Sequence, residues 1–294
     1  MLDSTTLDRE ADEAGMITEA VVASFSQTGD ARLREVCEAL TRHLHAAVRE
    51  TGLTREELDT GIAFINAVGQ ATTSTHNEAI LLADVFGLTT LACHNDEAWE
   101  GDEALLGPFW RMHSPLTPNG GSIIRSATPG RPLEVAGHIV DRAGQGIAGV
   151  EVDVWQASPC GLYENQDDTQ SEMNLRGKFI TDADGRFGFE TVMPAGYPVP
   201  THGPVGGLLA HQQRHPFRPA HIHFLAWKDG YRTLITQIFV QDDEHLTSDV
   251  VFGVSDKLVG TYARSDTDGE AAYRLERTFT MREGETHLPH PPIA

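Results

Sequence analysis

Two histidines in the segment RPAHIHF could bind a metal ion. His221 and His223 are two positions apart, and alternate side chains of a β-strand project from the same face. Both imidazoles could therefore chelate one ion. Pro219 favours an extended backbone at Arg218, so that the Arg218 guanidinium would project close to the two imidazoles. The alternative is a half-buried strand that carries two incidental histidines.

Two histidines leave a metal site incomplete, and tyrosines could supply the remaining ligands. No Glu follows His223 at the offset that cupins use, and no HExxH motif occurs in the sequence. Tyr197 lies in PAGYPVP, where Gly196 allows a turn and Pro198 favours an extended backbone at Tyr197. Tyr163 lies in CGLYENQ, directly after VEVDVWQA, where a side chain can point into a cleft. Ordinary aromatic packing is the alternative for each tyrosine.

The side-chain amide of Gln237 is a further candidate for a functional group. Gln237 alternates with Ile235 and Phe239 in TLITQIFV, so we expect its side chain to point into the apolar interior. A buried amide needs hydrogen-bond partners. These partners are either groups of a functional site or the backbone of a neighbouring loop, and the sequence leaves both open.

The elements that must position these residues change character along the chain. From about residue 30 to residue 91 the apolar residues recur at helical spacing, and Thr54 with Glu57 predicts a capping box at the start of one helix. Residues 107–132 are rich in Pro and Gly and form a connecting segment. Six later segments alternate like β-strands: LEVAGHIVD, VEVDVWQA, RFGFETV, HIHFLAWK, TLITQIFV and YRLERTFTM.

This change of period predicts two domains. Residues 1–106 would form a helical N-terminal domain that serves in dimerisation or as a linker, and residues 107–294 a β domain that carries the metal site. Because the short strands follow one another without intervening helices, the fold class is mainly β, with an antiparallel β-sandwich as the catalytic domain.

Composition and charge narrow the range of partners. The 294 residues are 40% apolar and 22% charged, as in ordinary globular proteins. Lys and Arg total 22 against 43 Asp and Glu, a formal charge of −21 that would repel nucleic acids and anionic membranes. No apolar run approaches the roughly 18 residues of a membrane-spanning helix, and no signal peptide is visible, so we expect a cytoplasmic location. The three cysteines Cys37, Cys93 and Cys160 form no CxxC pair and are expected to be reduced.

Residues 131–253 resemble the intradiol catechol dioxygenase family. The segments RPLEVAGHIVDRAGQGIAGVEVDVWQASPCGLY, GRFGFETVMPAGYPVP, RPAHIHF, TQIF and DDEHLTSDVVFG follow the family pattern in this order. The helical part, with LLADVFG and LLGPFW, resembles the family's dimerising linker domain, so the resemblance covers nearly the whole chain. It implies a prealbumin-like sandwich, a homodimer and a lipid bound at the helical domain.

The resemblance also implies one Fe(III) ion per subunit, held by Tyr163, Tyr197, His221 and His223. Anionic phenolate oxygens suit a hard trivalent cation and keep the iron ferric. Such an ion would act as a Lewis acid that takes a small aromatic ortho-diol as its dianion, so that dioxygen attacks the ring carbon itself.

The same resemblance assigns roles to single residues. Tyr197 would be the labile ligand that accepts a proton from the substrate, while Tyr163 stays bound. Arg218 would stabilise negative charge at the attacked carbon, and Gln237 would support Arg218 from behind. The product would be a cis,cis-muconate-type diacid that carries both oxygen atoms.

Within the family, the details resemble the hydroxyquinol 1,2-dioxygenase branch. That branch cleaves 1,2,4-trihydroxybenzene to a hydroxymuconate that rearranges to maleylacetate; the alternative is a catechol 1,2-dioxygenase. Asp84 in LLADVFG would accept a hydrogen bond from the third hydroxyl, although it could also be a solvated carboxylate on a helix face. Leu105 and Thr201 differ from the branch's usual residues. The expected substrate pocket is lined by Leu81, Asp84, Leu105, Gly107, Pro108, Phe109, Val199, Pro200, Arg218 and Val251.

Two other classes of protein fit parts of the sequence. The strands and turns would also suit a non-catalytic, prealbumin-like binding or adhesin module, because a sandwich fold does not fix function. That class gives no reason for His221, His223, Arg218 and Gln237 to converge. A zinc or copper hydrolase would use the histidines but leave the tyrosines without a role.

Overall fold

The computed structural model describes residues 15–95, 102–265 and 272–293. The chain divides into two compact units, Met1–Ile65 and Asn66–Ala294. All of the predicted site residues lie in the second unit. The predicted domain boundary between residues 106 and 107 stays a prediction.

Helices dominate residues 15–95, and one further helix lies among the strands. The helical segments are residues 15–24 (α1), Ala31–Thr51 (α2), Arg55–Ala71 (α3), Glu78–Val85 (α4), Leu88–His94 (α5) and Pro204–His211 (α6). At the start of α2 the Asp30 carboxylate accepts hydrogen bonds from the backbone N–H groups of Arg32 and Leu33. At the start of α3 the Thr54 backbone N–H donates to Glu57, and the Glu57 backbone N–H donates to the Thr54 hydroxyl. The predicted capping box is therefore confirmed.

Helix α2 carries an apolar stripe that remains exposed. Leu33, Val36, Leu40, Leu44 and Val48 recur at helical spacing along it, and each is exposed. The stripe agrees with the predicted amphipathic helix. Among the described residues, no helix combines the length and the apolar character that crossing a membrane would require.

Strands dominate the described residues from 102 onwards. They are Gly121–Ser122 (β1), Pro132–Val140 (β2), Glu151–Gln156 (β3), Arg176–Ile180 (β4), Arg186–Val192 (β5), Tyr197–Pro198 (β6), Phe217–Arg218 (β7), His221–Trp227 (β8), Leu234–Val240 (β9), Val259–Gly260 (β10), Tyr262–Ser265 (β11) and Ala272–Thr280 (β12). Within the described ranges they form two five-stranded sheets, with orders β1-β5-β2-β12-β11 and β10-β9-β8-β3-β4, and a two-stranded sheet of β6 and β7. All six strands expected from the alternation are present.

The two larger sheets are mixed rather than antiparallel. Strand β2 pairs antiparallel with β5 but parallel with β12, and β1 and β10 also pair parallel with their neighbours. The predicted antiparallel sandwich is therefore confirmed only in part, because each sheet contains antiparallel pairs but also parallel pairs that were not predicted. Parallel neighbours need long connections, so β2 and β12 lie far apart in the sequence, and local alternation does not reveal which strands pair.

Side chains from both five-stranded sheets form one apolar core, and this core determines where the histidines lie. Ile222, Phe224 and Ala226 of β8 belong to the core. Burial of one such large side chain contributes roughly 1.5–3 kcal/mol, which fixes the register of the strand. The alternating residues His221 and His223 therefore lie on the opposite face of the sheet, which is also buried.

Strands β9 and β3, which flank β8, also alternate between residues that face the core and residues that face the histidines. Ile238 of β9 and Val154 of β3 belong to the core. Gln237 and Trp155, the adjacent residues, therefore face the same side as the histidines. In the strand register His223 lies opposite Trp155 on β3 and opposite Gln237 on β9.

Candidate active site

His221 and His223 lie in the same pocket, and both imidazoles are in the neutral form that can bind a metal ion. Their Nε2 atoms are 3.0 Å apart, and both rings are buried. The Nδ1 atom of His221 donates to the Pro219 carbonyl at 2.7 Å, so Nε2 of the neutral ring carries the lone pair. Burial, together with the nearby charge of Arg218, lowers the pKa of both imidazoles well below the ordinary value. Neutral imidazoles are the form in which histidine binds metal ions.

Packing holds the His223 ring in place. Its ring is stacked on that of Trp155, with centroids 4.6 Å apart and planes inclined by 10°. Gly107 lies against the ring edge, where an added Cβ would be 3.4 Å from Cε1 of His223. The φ angle of Gly107 is +74°, a conformation that favours glycine. The Nδ1 atom of His223 is buried without a hydrogen-bond partner in the described residues.

The two tyrosines bring their hydroxyl groups together at the same place. The Oη atom of Tyr163 donates to that of Tyr197 at 3.3 Å, and their rings are nearly perpendicular. The Phe109 ring is stacked on that of Tyr163 at 4.5 Å. The centroids of the Tyr197 and His221 rings are 5.6 Å apart, so the phenol pair adjoins the imidazole pair.

The donor set fits a hard, highly charged cation. Burial raises the pKa of Tyr197, and it raises the pKa of Tyr163 well above the ordinary value, so both phenols are neutral when no cation is bound. A trivalent ion would reverse this effect, because its charge favours the phenolate form. Two oxygens that can become anionic and two neutral nitrogens, enclosed in one buried cluster, suit ferric iron.

Arg218 lies at the edge of this cluster and is held from several sides. Its Nη1 donates to Nε2 of His221 at 3.3 Å, and its Nη2 donates to Oε1 of Gln237 at 2.8 Å. Its Nε donates to Asp249 at 3.1 Å. Burial opposes the guanidinium charge, but Asp249 outweighs this effect, so the pKa of Arg218 is raised. The Gln237 amide is satisfied on its other side, where Nε2 donates to the Leu105 carbonyl at 2.7 Å.

Asp84 is a second buried carboxylate near Arg218. It lies on α4, and only 1% of its surface is exposed, so it is not a solvated carboxylate on a helix face. Burial raises its pKa to about 6, while a hydrogen bond from Thr89 and the charge of Arg218 act in the opposite direction. Its Oδ1 atom has no hydrogen-bond partner among the described residues.

Sequence comparison identifies the family to which this architecture belongs. A family profile described as "Catechol dioxygenase N terminus" matches residues 30–101, and one described as "Dioxygenase" matches residues 106–283. The chain belongs to the intradiol ring-cleavage dioxygenases. It is thus a ring-cleaving enzyme, and its helical N-terminal region and sheet-rich C-terminal region agree with those of solved dioxygenases.

Several relatives of this intradiol dioxygenase have names that specify a substrate. It is 40% identical to a hydroxyquinol 1,2-dioxygenase of Rhodococcus opacus over 87% of this chain and 86% of the relative. It is 37% identical to a catechol 1,2-dioxygenase of Candida albicans over 90% of this chain and 91% of the relative. A solved hydroxyquinol 1,2-dioxygenase of Pseudomonas putida superposes with a TM-score of 0.84 at 34% identity, covering 93% of this chain and all of the other.

Some of the predicted pocket residues contact the tyrosines, the histidines or Gln237, whereas for others the structure shows only that they are buried. All of the predicted side chains are buried. Leu105, Gly107 and Phe109 contact Gln237, His223 and Tyr163 as described above. Pro108 lies between two of these residues, and Val251 lies in the loop that follows Asp249. For Leu81, Val199 and Pro200 the structure establishes burial, and their place in the pocket wall stays a prediction.

Two residues of the site were not singled out by sequence reasoning. Asp249 lies in DDEHLTSDVVFG, a motif of the family resemblance, but its partner Arg218 is too distant in sequence for any local pattern to pair them. Trp155 could have been found from alternation, because it follows Val154 in a strand whose other face is apolar. Its contact with His223 depends on the register between β3 and β8, which the sequence does not give.

Proposed function

We propose that this enzyme cleaves 1,2,4-trihydroxybenzene, or hydroxyquinol, between its ortho hydroxyl groups. With dioxygen it would give 3-hydroxy-cis,cis-muconate and its tautomer maleylacetate. The main support for this substrate is the buried Asp84 carboxylate, whose Oδ1 has no hydrogen-bond partner in the described part of the chain. The third hydroxyl of the triol would donate to this oxygen. Catechol has no such hydroxyl and would leave the oxygen unpaired, which costs binding energy.

The names of several relatives support this substrate. Hydroxyquinol 1,2-dioxygenases of Rhodococcus opacus and Nocardioides simplex are 40% and 39% identical to this chain over most of its length. The Candida relative, a catechol 1,2-dioxygenase at 37% identity, supports the second candidate, a catechol 1,2-dioxygenase that forms cis,cis-muconate. Both candidates use the same reaction, and they differ in the group that Asp84 would bind.

The proposed cofactor is one Fe(III) ion per subunit. Tyr163, Tyr197, His221 and His223 would hold it, because their oxygen and nitrogen atoms form the buried cluster described above. When bound, the ion supplies Lewis acidity that stabilises the substrate as a dianion and withdraws electron density from it.

In the remaining steps of the proposed reaction, side chains of the protein transfer a proton and stabilise charge. The Oη atom of Tyr197 would take up a proton from one of the two ortho hydroxyls, while Tyr163 stays in place against Phe109. Arg218 would present its guanidinium to the negative charge that develops on the ring, a preorganised interaction worth about 3 kcal/mol in other enzymes. Gln237 would hold that guanidinium through Nη2. The buried apolar surroundings would exclude water from the reacting ring.

The proposal extends to the assembly of the protein. The core shared by the two five-stranded sheets supports a prealbumin-like sandwich. The exposed apolar stripe of α2 supports a homodimer formed through the helical region, with a lipid covering part of that surface. A cytoplasmic location remains part of the same proposal.

Dioxygen uptake by the purified enzyme tests the proposed substrate. We expect kcat/KM for hydroxyquinol to exceed that for catechol by roughly tenfold or more, the scale of discrimination that one unpaired polar group produces. Both oxygen atoms should appear in the ring-opened acid when labelled dioxygen is used. A preference for catechol would replace the first candidate with the second.

A further inference from the structure

One carboxylate joins the guanidinium of the site to a neighbouring loop. Asp249 is buried, and both of its oxygens are used. Oδ1 accepts from Nε of Arg218 at 3.1 Å and from the backbone N–H of Val251 at 3.4 Å. Oδ2 accepts from Nη2 of Arg218 at 3.2 Å and from the backbone N–H of Gly253 at 3.0 Å.

These bonds determine how the guanidinium is oriented. A guanidinium is planar, so a carboxylate that binds both Nε and Nη2 fixes its plane. The Gln237 amide accepts from the same Nη2, which leaves Nη1 directed at His221. Asp249 is the anionic partner of Arg218 in these bonds, whereas Gln237 is neutral. Without Asp249 the buried guanidinium would keep its charge but lose the bonds that fix its plane.

The same carboxylate shapes loop 249–253. Val251 in this loop is buried and belongs to the expected pocket wall. Phe252 has a φ angle of +58°, an uncommon conformation for a side chain of that size. Gly253 packs closely on the site, since an added Cβ would lie 3.1 Å from Nη2 of Arg218 and 2.9 Å from Leu105. Asp249, Val250 and Phe252 also line a cavity of about 570 Å³, in which the Arg214 guanidinium lies 5.1 Å from the centre of the Phe252 ring.

We propose that Asp249 is a positioning residue for ring cleavage, a role that rests on the proposed function. It holds the Arg218 guanidinium and the Val251 wall in one fixed arrangement. Loss of the carboxylate therefore lowers kcat and weakens the discrimination between hydroxyquinol and catechol together. Iron binding is unaffected, because Asp249 makes no hydrogen bond to the four proposed ligands in the described structure.

The loop has other anchors that keep it folded when Asp249 is replaced. The Val250 backbone N–H donates to the Phe217 carbonyl at 3.2 Å. Arg214 Nη2 donates to the Val250 carbonyl at 2.7 Å, and the Thr90 hydroxyl donates to the Val251 carbonyl at 3.0 Å. Asp249→Asn keeps the shape of the side chain and one acceptor oxygen. We therefore expect this variant to fold.

A double-mutant cycle tests the proposal. Asp249→Asn should lower kcat for hydroxyquinol by roughly a hundredfold, the effect of misplacing a catalytic group by about 1 Å, with an unchanged iron content and visible spectrum. Ser248→Ala, at an exposed neighbouring position, is the control and should match the wild type. Combined with Arg218→Met, Asp249→Asn should slow turnover by no more than about threefold beyond Arg218→Met alone, because Asp249 acts through Arg218. Two losses that multiply in full, or an Asp249→Asn variant as fast as the wild type, would overturn the proposal.

Two further measurements separate other causes of failure. If Asp249→Asn does not fold, Gly253→Ala, whose Cβ would press on Arg218 and Leu105, takes its place and should lower kcat and the preference for hydroxyquinol together. An unchanged kcat for that variant would contradict the proposal. If the wild type cleaves neither hydroxyquinol nor catechol, the proposed function fails. A crystal structure of Asp249→Asn then decides on Asp249 alone, with a shifted guanidinium supporting its role and an unmoved one refuting it.

Discussion

At the scale of single residues, the proposed choice of substrate depends on Asp84. Its unpartnered oxygen is matched by the third hydroxyl of hydroxyquinol and by no group of catechol. We expect Asp84→Ala to lower kcat/KM for hydroxyquinol by roughly tenfold to a hundredfold and to change that for catechol much less. Steady-state dioxygen uptake on both substrates measures this, with Asp59→Asn, an exposed carboxylate on α3, as the control. Equal losses on the two substrates would discredit the role of Asp84.

The negative charge of the buried Asp84 carboxylate should also lower the free energy of unfolding of the protein. Its pKa is raised from 3.8 to about 6, so the folded protein takes up this proton more readily than the unfolded chain does. The contribution of Asp84 to stability is therefore lost as the pH rises from about 4 to about 6.

Replacement by a neutral amide should recover that loss. At pH 7.5 we expect Asp84→Asn to raise the free energy of unfolding by about 1–3 kcal/mol, and at pH 4.5 by only about a third as much. Denaturant unfolding at the two pH values measures the difference. A variant that is less stable than the wild type at pH 7.5 would mean that the ionised Asp84 carboxylate stabilises the fold, contrary to this expectation.

The sequence predicted the candidate residues better than it predicted their partners. Alternation and the neighbouring prolines singled out His221, His223 and Arg218, because these signals lie within a few residues of one another. The partnership of Arg218 with Asp249 depends on a loop that returns to the site from elsewhere in the chain. Such a contact leaves no local pattern.

At the scale of elements, the register between β3 and β8 supports one proposed metal ligand. It places Trp155 opposite His223, and the two rings are stacked at 4.6 Å. Outer groups that orient a metal-binding histidine typically change metal affinity by about tenfold to a hundredfold. Trp155 therefore belongs to the machinery of the proposed iron site, although it donates no ligand atom.

Two replacements of Trp155 should show whether iron retention depends on the stacked aromatic ring or only on a side chain that fills the space beside His223. Trp155→Leu is expected to weaken iron retention by roughly tenfold or more, whereas Trp155→Phe keeps an aromatic face and should retain most of it. Loss of iron during dialysis against a chelator, followed by metal analysis, gives the comparison. If the Leu and Phe variants lose iron at the same rate, the stacked ring does not orient His223.

The strands themselves could be predicted where one face is apolar and the other is not. The segment RGKFI, which forms β4, is too short and too polar to alternate clearly, and no helix was predicted over α6, whose eight residues include Pro204, Gly206 and Gly207. The parallel pairing of β2 with β12 could not be predicted, since it depends on how the chain returns between distant segments. Element identity is thus a local property, whereas pairing is not.

At the scale of the whole molecule, the apolar stripe of α2 is one of the apolar surfaces that a single chain leaves exposed among the described residues. Leu40 and Leu44 are each 56% exposed and lie one turn apart in the middle of the stripe. If the stripe forms the proposed dimer interface, a charge there should dissociate the dimer.

The oligomeric state of a charged variant tests this. We expect Leu40→Glu combined with Leu44→Glu to be monomeric in sedimentation experiments at micromolar concentration, while the wild type is dimeric. Arg34→Glu, on the same helix but outside the apolar stripe, is the control. A wild type that is monomeric, or a double variant that stays dimeric, would contradict an interface at this stripe.

The identity of the bound metal ion tests the central claim most directly. Metal analysis and the visible spectrum of the enzyme as purified should give one iron per chain and a broad phenolate-to-iron absorption that makes the protein wine-red. Tyr163→Phe should diminish that absorption, because one of the two phenolate donors is removed. A colourless wild-type protein that holds zinc and cleaves hydroxyquinol at full rate would contradict the account.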